Sequence, residues 1–387
     1  MLETLPAQSA GPQFEPSEAQ KEARLRFRQF VQEHITPFAG EWDRAERVPQ
    51  QLIDELRRRG YMGAPLPQHP GGAMDAVTYG LLTEEIARGC SSVRSLLTVH
   101  DMVSLGLHRW ASHAVKEEFG EAVSSGRMLC ALALSEPEAG SDAASVKTEG
   151  RATDDGYVLS GKKKWTTFGQ IADLFLVLAR CQEQLAAFLV PAAAPGLLRK
   201  PMKGIAGTRA SLLAEIEFHE CCVPRHYLIG KIGFGFSHVV SSVLDHGRYS
   251  VAWGSVGISQ ACLNACLDYT SKRRQFGVAL REHQLVQRKL TDMIVNTRAA
   301  RLLCYRAGYL RDMKDPGASA ETLVAKYFAS KMAVRAANDA VQLHGANGLT
   351  DEYPVARLLR DSKVMEIIEG STQIQQITIA GYPFDEL

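Results

Sequence analysis

The chain has 387 residues, 45% of them apolar and 22% charged, with a formal net charge of +1. That length holds about two to three domains around a large core. The near-zero charge supplies no field for collecting nucleic acid or an anionic membrane, and no apolar run reaches the ~20 residues that cross a bilayer.

Residues 1–16 are polar, carry acids and hold three prolines. They lack both the basic start and apolar core of a signal peptide and the Arg-rich character of a transit peptide. The expectation is a disordered lead-in on a cytoplasmic protein. Residues 17–127 read as a helical domain: Tyr79, Leu82 and Ile86 fall at i, i+3 and i+7 on one helix face. Gly60, Pro65, Pro67, Pro70, Gly71 and Gly72 mark the loops between helices.

The pattern changes near Met128. Tyr157 to Ser160 and Leu174 to Ala179 are short apolar runs bounded by turn residues. Leu213-Ala214-Glu215-Ile216-Glu217-Phe218 ends in period-two alternation, as in a half-buried strand. Pro191, Pro195, Pro201 and Pro224 punctuate this zone. Residues 128–228 therefore read as a small, mostly antiparallel β domain. Between Arg225 and Asp315 no proline interrupts the chain, which permits long helices. Val286, Leu290, Met293, Thr297, Ala300 and Cys304 form one stripe, and Leu323, Tyr327, Ser330, Val334, Ala337 and Val341 another. Residues 229–387 read as a four-helix bundle with those stripes in its core. The predicted fold class is mostly α with a β domain.

The eight cysteines form no CxxC pair, and the eleven histidines form no HxxxH or HExxH arrangement. They read as buried small hydrophobes and ordinary histidines, with no metal expected. No GxGxxG follows a strand, so a Rossmann nucleotide site is not expected. Gly230, Gly233 and Gly235 read as turn glycines.

Two stretches carry chemistry. Met365-Glu366-Ile367-Ile368-Glu369-Gly370-Ser371-Thr372-Gln373 places a carboxylate between isoleucines and a glycine. Apolar neighbours remove water and raise a carboxyl pKa, which suits a general base, and the glycine allows close approach by a ligand. Spacing alone favours a structural helix-end residue. Leu134-Ser135-Glu136-Pro137-Glu138-Ala139-Gly140-Ser141-Asp142 contains a turn whose N–H groups and Ser141 hydroxyl can cradle a phosphate. It fits an ordinary capped turn as well.

Together, in this order, the two stretches resemble the acyl-CoA dehydrogenase family of flavoproteins, from about Ser17 to the C-terminus. The resemblance implies a helical, β, helical-bundle fold, bound FAD, and a homodimer or homotetramer. It implies that Glu369 removes a substrate proton and that Ser371 and Gln373 belong to the cofactor site with it. Leu134, Ser135, Gly140 and Ser141 are assigned to the flavin cradle, with Ser135 at the pyrimidine edge of the ring. Lys164-Trp165-Thr166-Thr167 resembles the flavin-packing segment, with Trp165 near the ring and Thr167 near N5. Tyr269…Arg273-Arg274-Gln275-Phe276-Gly277 and Gln342-Leu343-His344-Gly345 resemble the pocket that receives the adenosine half from a neighbouring subunit. Within it Arg273 pairs with pyrophosphate, and Gln275, Phe276, Gln342 and Gly345 line the pocket. Arg248, in Asp245-His246-Gly247-Arg248, either eases negative charge near the site, binds an acidic substrate, or is a helix-surface arginine. Phe168 and Ala346 depart from the family pattern, where asparagine and glycine are usual.

Three further segments resemble one branch more narrowly: Cys90 to Leu96, Gly247 to Gly254, and Met365 to Ser371. That branch oxidises short hydroxy- or aminoacyl units on an acyl carrier protein to make hydroxymalonyl-type polyketide extender units. It implies a short pocket closed by Trp253, Met102 or Phe168. The alternative is a catabolic acyl-CoA dehydrogenase, and a third reading is a non-catalytic flavin scaffold, against which Glu369 speaks. The resemblance further implies an electron-transferring flavoprotein or another acceptor as redox partner.

Overall fold

The computed structural model describes residues 15–382. The expected lead-in lies almost wholly outside the described residues. The first third is helical: α1 (Glu18–His34), α2 (Ala39–Ala45), α3 (Gln50–Arg58), α4 (Ala76–Gly89), α5 (Ser91–Trp110) and α6 (His113–Ser124). Helix α1 starts where Ser17 accepts from the Gln20 N–H and Gln20 returns a bond to the Ser17 N–H, a reciprocal cap. Asp75 caps α4 through the Thr78 N–H. Tyr79, Leu82 and Ile86 are buried, but so is nearly every other residue of α4. Helix α5 is likewise enclosed, packed against α4, α6, the sheet and the long helix that follows it.

The middle of the chain forms an eight-stranded sheet: β1 (Cys130–Ala133), β2 (Glu149–Ala152), β3 (Gly156–Thr166), β4 (Leu174–Cys181), β5 (Gln184–Pro191), β6 (Leu197–Pro201), β7 (Ala214–Pro224) and β8 (Leu228–Ile229). The order is β6-β7-β3-β2-β4-β5-β8, with β1 parallel beside β4. Most other pairings are antiparallel; β2 and β4 meet in parallel. The apolar run on β4 is buried along nearly its whole length because helices and loops cover both faces. On β7, Ala214, Ile216 and Phe218 point inward, while Glu215 and Glu217 meet Lys162 and Lys200 outside.

A π-helical turn, Gly235–Val240, leads into α7 (Ser241–Lys272). A short hairpin, β9 (Arg274–Gln275) and β10 (Val278–Ala279), precedes α8 (Gln284–Asp312), α9 (Ala318–His344), α10 (Val355–Ile367) and α11 (Thr372–Ala380). On α8 the expected stripe is buried from Leu290 to Cys304. On α9 it holds in part: Leu323, Ser330 and Ala337 are buried, Tyr327, Val334 and Val341 are only half-buried, and the enclosed surface also takes in Ala325, Ala329, Ala333, Ala336 and Ala340. Helix α9 packs on α7, α8, α10 and α11 at once, and alanines let it approach them closely. Seven cysteines are buried and free, and Cys222 is free but exposed. Among the described residues no helix is long and apolar enough to cross a membrane.

Candidate active site

Helix α10 ends at Ile367, and Ser371 caps α11 by accepting from the Ile374 N–H. Between them Glu369 adopts φ +55° and Gly370 φ +90°. A side-chain-bearing residue in the left-handed region costs about 1–2 kcal/mol and persists where its surroundings over-determine it. Here they do. Arg248 Nε and Gln375 Nε2 each donate to the Glu369 carbonyl at 3.1 Å, and Lys326 Nζ donates to the Gly370 carbonyl at 2.7 Å. Lys326 and Gln375 are fully buried. Arg248 is thus a part-buried brace of this turn and not a surface arginine. Gln373, expected at the site, is exposed; the glutamine that holds the turn is Gln375.

The left-handed turn swings the Glu369 carboxyl against α7. A Cβ on Gly247 would lie 2.6 Å from Glu369 Oε2 and 2.7 Å from Met102 Sδ, so glycine is what admits the carboxyl. Oε2 is buried without a hydrogen-bond partner. Burial pushes the carboxyl up to about 7, against the opposing pull of Arg248, Arg94 and Lys326. Of the two isoleucines expected to do this, Ile368 is half-buried against the core, but Ile367 is 59% exposed and does not enclose the carboxyl. The groove between α5 and α7 does. Met102 stands at the carboxyl, Trp253 packs on Gly80 and Tyr305 between α4, α7 and α8, and Phe168 is buried in the core beneath the helical domain.

The same groove holds polar groups that the motifs did not announce. Arg94 on α5 is 1% exposed. Its Nη1 donates to Thr98 Oγ1 at 3.0 Å, and Thr98 shares a 2.6 Å hydrogen bond with Ser250 of α7. Tyr79 stacks obliquely on His246 at 4.9 Å between ring centroids. A lone arginine or lysine inside an otherwise apolar helix segment was the available signal for Arg94 and Lys326.

The second stretch is locked by a buried ion pair. Glu136 accepts from the Lys147 N–H (2.7 Å), the Thr148 N–H (2.9 Å), Thr148 Oγ1 (2.6 Å) and Lys163 Nζ (2.8 Å). Burial alone would raise this carboxyl; the bonds from Lys163, Thr148 and Lys147 outweigh it and hold it below the usual range. Lys163 also donates to the Leu134 carbonyl, and the Lys164 N–H donates to the Ser135 carbonyl. These contacts bring Leu134 and Ser135 beside Trp165, which sits at φ +65° and is 51% exposed, and half-buried Thr167. The turn continues through the Phe168 N–H to the Ser211 carbonyl, and Ser211 meets Ser95 of α5 at 2.8 Å. The segment that carries Trp165 and Thr167 is thereby tied to α5.

Farther along the chain, Arg273, Gln275 and Phe276 lie exposed on the β9–β10 hairpin. Tyr269 stacks on His344 at 4.3 Å and accepts from Asn347 Nδ2, so exposed Gln342 and Gly345 share that end of the bundle. FAD fits these surroundings. Trp165 offers an accessible ring face, Thr166 Oγ1 is buried without a partner, and no atom lies within 4 Å of a Cβ at Gly140, Gly277 or Gly345.

Family profiles described as acyl-CoA dehydrogenase N-terminal, middle and C-terminal domains match residues 17–127, 131–221 and 233–381. The short-chain specific acyl-CoA dehydrogenase of Sus scrofa mitochondria is 35% identical over 366 residues, 93% of this chain and 88% of that one. Butyryl-CoA dehydrogenase from Megasphaera elsdenii superposes with a TM-score of 0.90 at 31% identity, over 95% of this chain and 98% of that one. FkbI, described as serving biosynthesis of a methoxymalonyl polyketide extender unit, superposes with a TM-score of 0.84 at 30% identity, over 92% and 98%. The chain belongs to the acyl-CoA dehydrogenase family, FAD-dependent oxidoreductases acting on CH–CH bonds.

Proposed function

We propose that this enzyme dehydrogenates a short acyl thioester with Glu369 as the base. The observation that carries the reading is Glu369 Oε2, buried and unpartnered against α7, where burial pushes the carboxyl up to about 7. An unpartnered acceptor there is free to take a proton from the carbon α to the thioester carbonyl. Arg248, Gln375 and Lys326 occupy the backbone carbonyls of the turn, which fixes the direction of the carboxyl. The Glu369 N–H would donate to the developing enolate oxygen. Leu134, Ser135, Gly140, Ser141, Trp165 and Thr167 would hold the flavin half of FAD. Arg273, Gln275, Phe276, Gln342 and Gly345 would hold the adenosine half of a second copy's cofactor in a homo-oligomer, with Ser371 and Gln373 near the first. When bound, FAD supplies the acceptor for the hydride that leaves the β-carbon.

The test is anaerobic bleaching of the flavin by butyryl-CoA in the wild type and in Glu369→Gln. Fast bleaching that the substitution abolishes supports the reading; bleaching at the wild-type rate in the variant overturns it.

The likeness to FkbI and the hydrogen-bonding groups around Arg94 favour a second reading, in which the acyl unit is a hydroxyacyl group on an acyl carrier protein. Faster bleaching by a three-carbon hydroxyacyl carrier protein than by butyryl-CoA would establish it. An electron-transferring flavoprotein is the proposed acceptor in both readings.

A further inference from the structure

Residues 202–213 connect β6 to β7 and bind parts of the molecule that are far apart in the chain. On the side of α2, the Glu46 carboxylate accepts from the Gly204 N–H at 3.2 and 3.1 Å and from Arg209 Nη2 at 2.6 Å. On the side of α10, Arg360 Nη1 donates to the Ala206 carbonyl at 2.8 Å, while Nη2 pairs with Asp43 of α2. Gly207 lies flat on α10: a Cβ there would stand 2.2 Å from the Arg360 carbonyl oxygen. Thr208 then turns into the left-handed region at φ +49°, and its buried N–H donates to Asp361 Oδ1 at 2.6 Å. A buried N–H must find a partner, and Asp361, 1% exposed, supplies it. The other oxygen of that carboxylate is 3.7 Å from Arg357 Nη1, an ion-pair distance but not a hydrogen bond.

From Thr208 the path runs on to the segment that carries Trp165 and Thr167. The Thr208 carbonyl accepts from the Ser211 N–H at 3.0 Å, and the Ser211 carbonyl accepts from the Phe168 N–H at 2.8 Å. Phe168 directly follows Thr167. In the other direction, Asp361 stands on the helix that ends at the Glu369 turn. Among the described residues no hydrogen bond joins residues 366–371 directly to residues 164–168. Side-chain-bearing residues in the left-handed region gather along this path: Trp165 at +65°, Phe168 at +54°, Thr208 at +49°, Leu212 at +47° and Glu369 at +55°. Strain of this kind persists only where the surroundings over-determine it, and it clusters at functional sites.

We propose that Asp361 is a positioning residue: by holding the 202–213 loop against α10, it sets the distance between Glu369 and the segment that packs the flavin. This rests on Glu369 as the base and on residues 165–167 as flavin contacts. The base and the hydride acceptor serve adjacent carbons of one acyl chain, so an error in their separation costs rate before it costs affinity. Asp361 touches neither of them. It acts through the Thr208 N–H on one side and through α10 on the other.

Two variants attack the contact from its two sides. Asp361→Ala removes the acceptor, whereas Gly207→Ala leaves every charge in place and forces the loop off α10. Each FAD-loaded variant is expected to lose about 10–100-fold in the rate of anaerobic flavin reduction by butyryl-CoA, with the substrate Kd within about threefold of wild type. Asp361→Asn keeps an acceptor for the Thr208 N–H and should stay within about fivefold of the wild-type rate. Hydrogen–deuterium exchange of the substrate-free proteins gives a readout independent of turnover. Peptides covering 203–212 and 364–371 should exchange together, at least about tenfold faster in Asp361→Ala and Gly207→Ala and at wild-type rates in Asp361→Asn. Glu84→Gln, in the ion network of α1, α4 and α8, controls for a general loss of stability. It should lower Tm and leave reduction within about twofold of wild type. Reduction within about threefold of wild type in both loop variants, a rate loss in Glu84→Gln as large as theirs, or faster exchange confined to the loop would each overturn the proposal. Flavin reduction that survives Glu369→Gln would refute the base assignment instead, and the joint exchange of loop and turn would still report on Asp361.

Discussion

The turn at Glu369 and the hairpin at Phe276 share a backbone design. Each places a side-chain-bearing residue in the left-handed region, φ +55° and +51°, directly before a glycine at +90° and +84°. Around Glu369 the carbonyls are claimed by Arg248, Gln375 and Lys326, donors from three other helices. Around Phe276 the bonds stay local: Arg274 to the Gly277 carbonyl and Gln275 to the Arg274 carbonyl, both 2.7 Å. The Phe276 ring is 95% exposed. One turn is completed by its own chain; the other presents a large apolar side chain to whatever lies outside it. An identical local geometry mounts a buried carboxyl in one setting and an exposed ring in the other, and packing decides which.

The largest effect should come from Glu369→Gln. The reduction rate is expected to fall about 10³-fold, within the range of a lost general base, and a fall below tenfold would show the comparison misassigns the turn. The same variant carries a stability signature. The folded carboxyl titrates near 7, above its unfolded value of 4.5. The native state therefore holds the proton more tightly, and stability is lost as pH rises through that window, by at most about 3 kcal/mol. Chemical denaturation should show Glu369→Gln gaining stability over wild type at pH 8 but not at pH 4.

Lys326→Met removes the donor to the Gly370 carbonyl and leaves that carbonyl unpaired. The expected outcome is a loss of about 10–100-fold in reduction rate with little change in substrate Kd, since a misplaced base costs rate. Stopped-flow reduction that stays within twofold of wild type would mean the remaining donors suffice to hold the turn.

In the wild type, the ionised base is the active form, so reduction should rise with pH through about 7 and drop about tenfold per unit below it. A profile centred near 4.5 would reveal a carboxyl open to water. The smallest effect is expected at the hairpin. Phe276→Ala should loosen self-association and flavin retention in gel filtration, while the flavin that remains is reduced within twofold of the wild-type rate. A rate loss matching that of Lys326→Met would erase the contrast between the two turns.

Local pattern was sufficient wherever one face of an element is wet. The Ala214–Phe218 alternation on β7 and the Leu290–Cys304 stripe on α8 report their own orientation, because a period of two or of 3.6 sorts apolar from polar side chains. The order of helices, sheet and helices followed from those periods and from the motifs, and the motif marked Glu369 as the candidate base. Enclosed elements were not legible in this way. On α9 the stripe caught Leu323, Ser330 and Ala337 but not the other buried alanines, since a helix covered on several sides needs no single apolar face. Arg94 and Lys326 carry a side chain that by default belongs in water, and their apolar neighbours along the helix are a weak local mark of burial. Their burial comes from α5 and α9 being packed on several sides by elements distant in sequence. The raised pKa of Glu369 was expected from its isoleucine neighbours, of which Ile367 is exposed; the left-handed turn sets the carboxyl against Gly247 and Met102. The sequence by itself determined which chemistry the chain carries, because motif residues are local. Only the tertiary structure decided which charges share the groove with the base, because desolvation depends on what folds against a group and not on what precedes it.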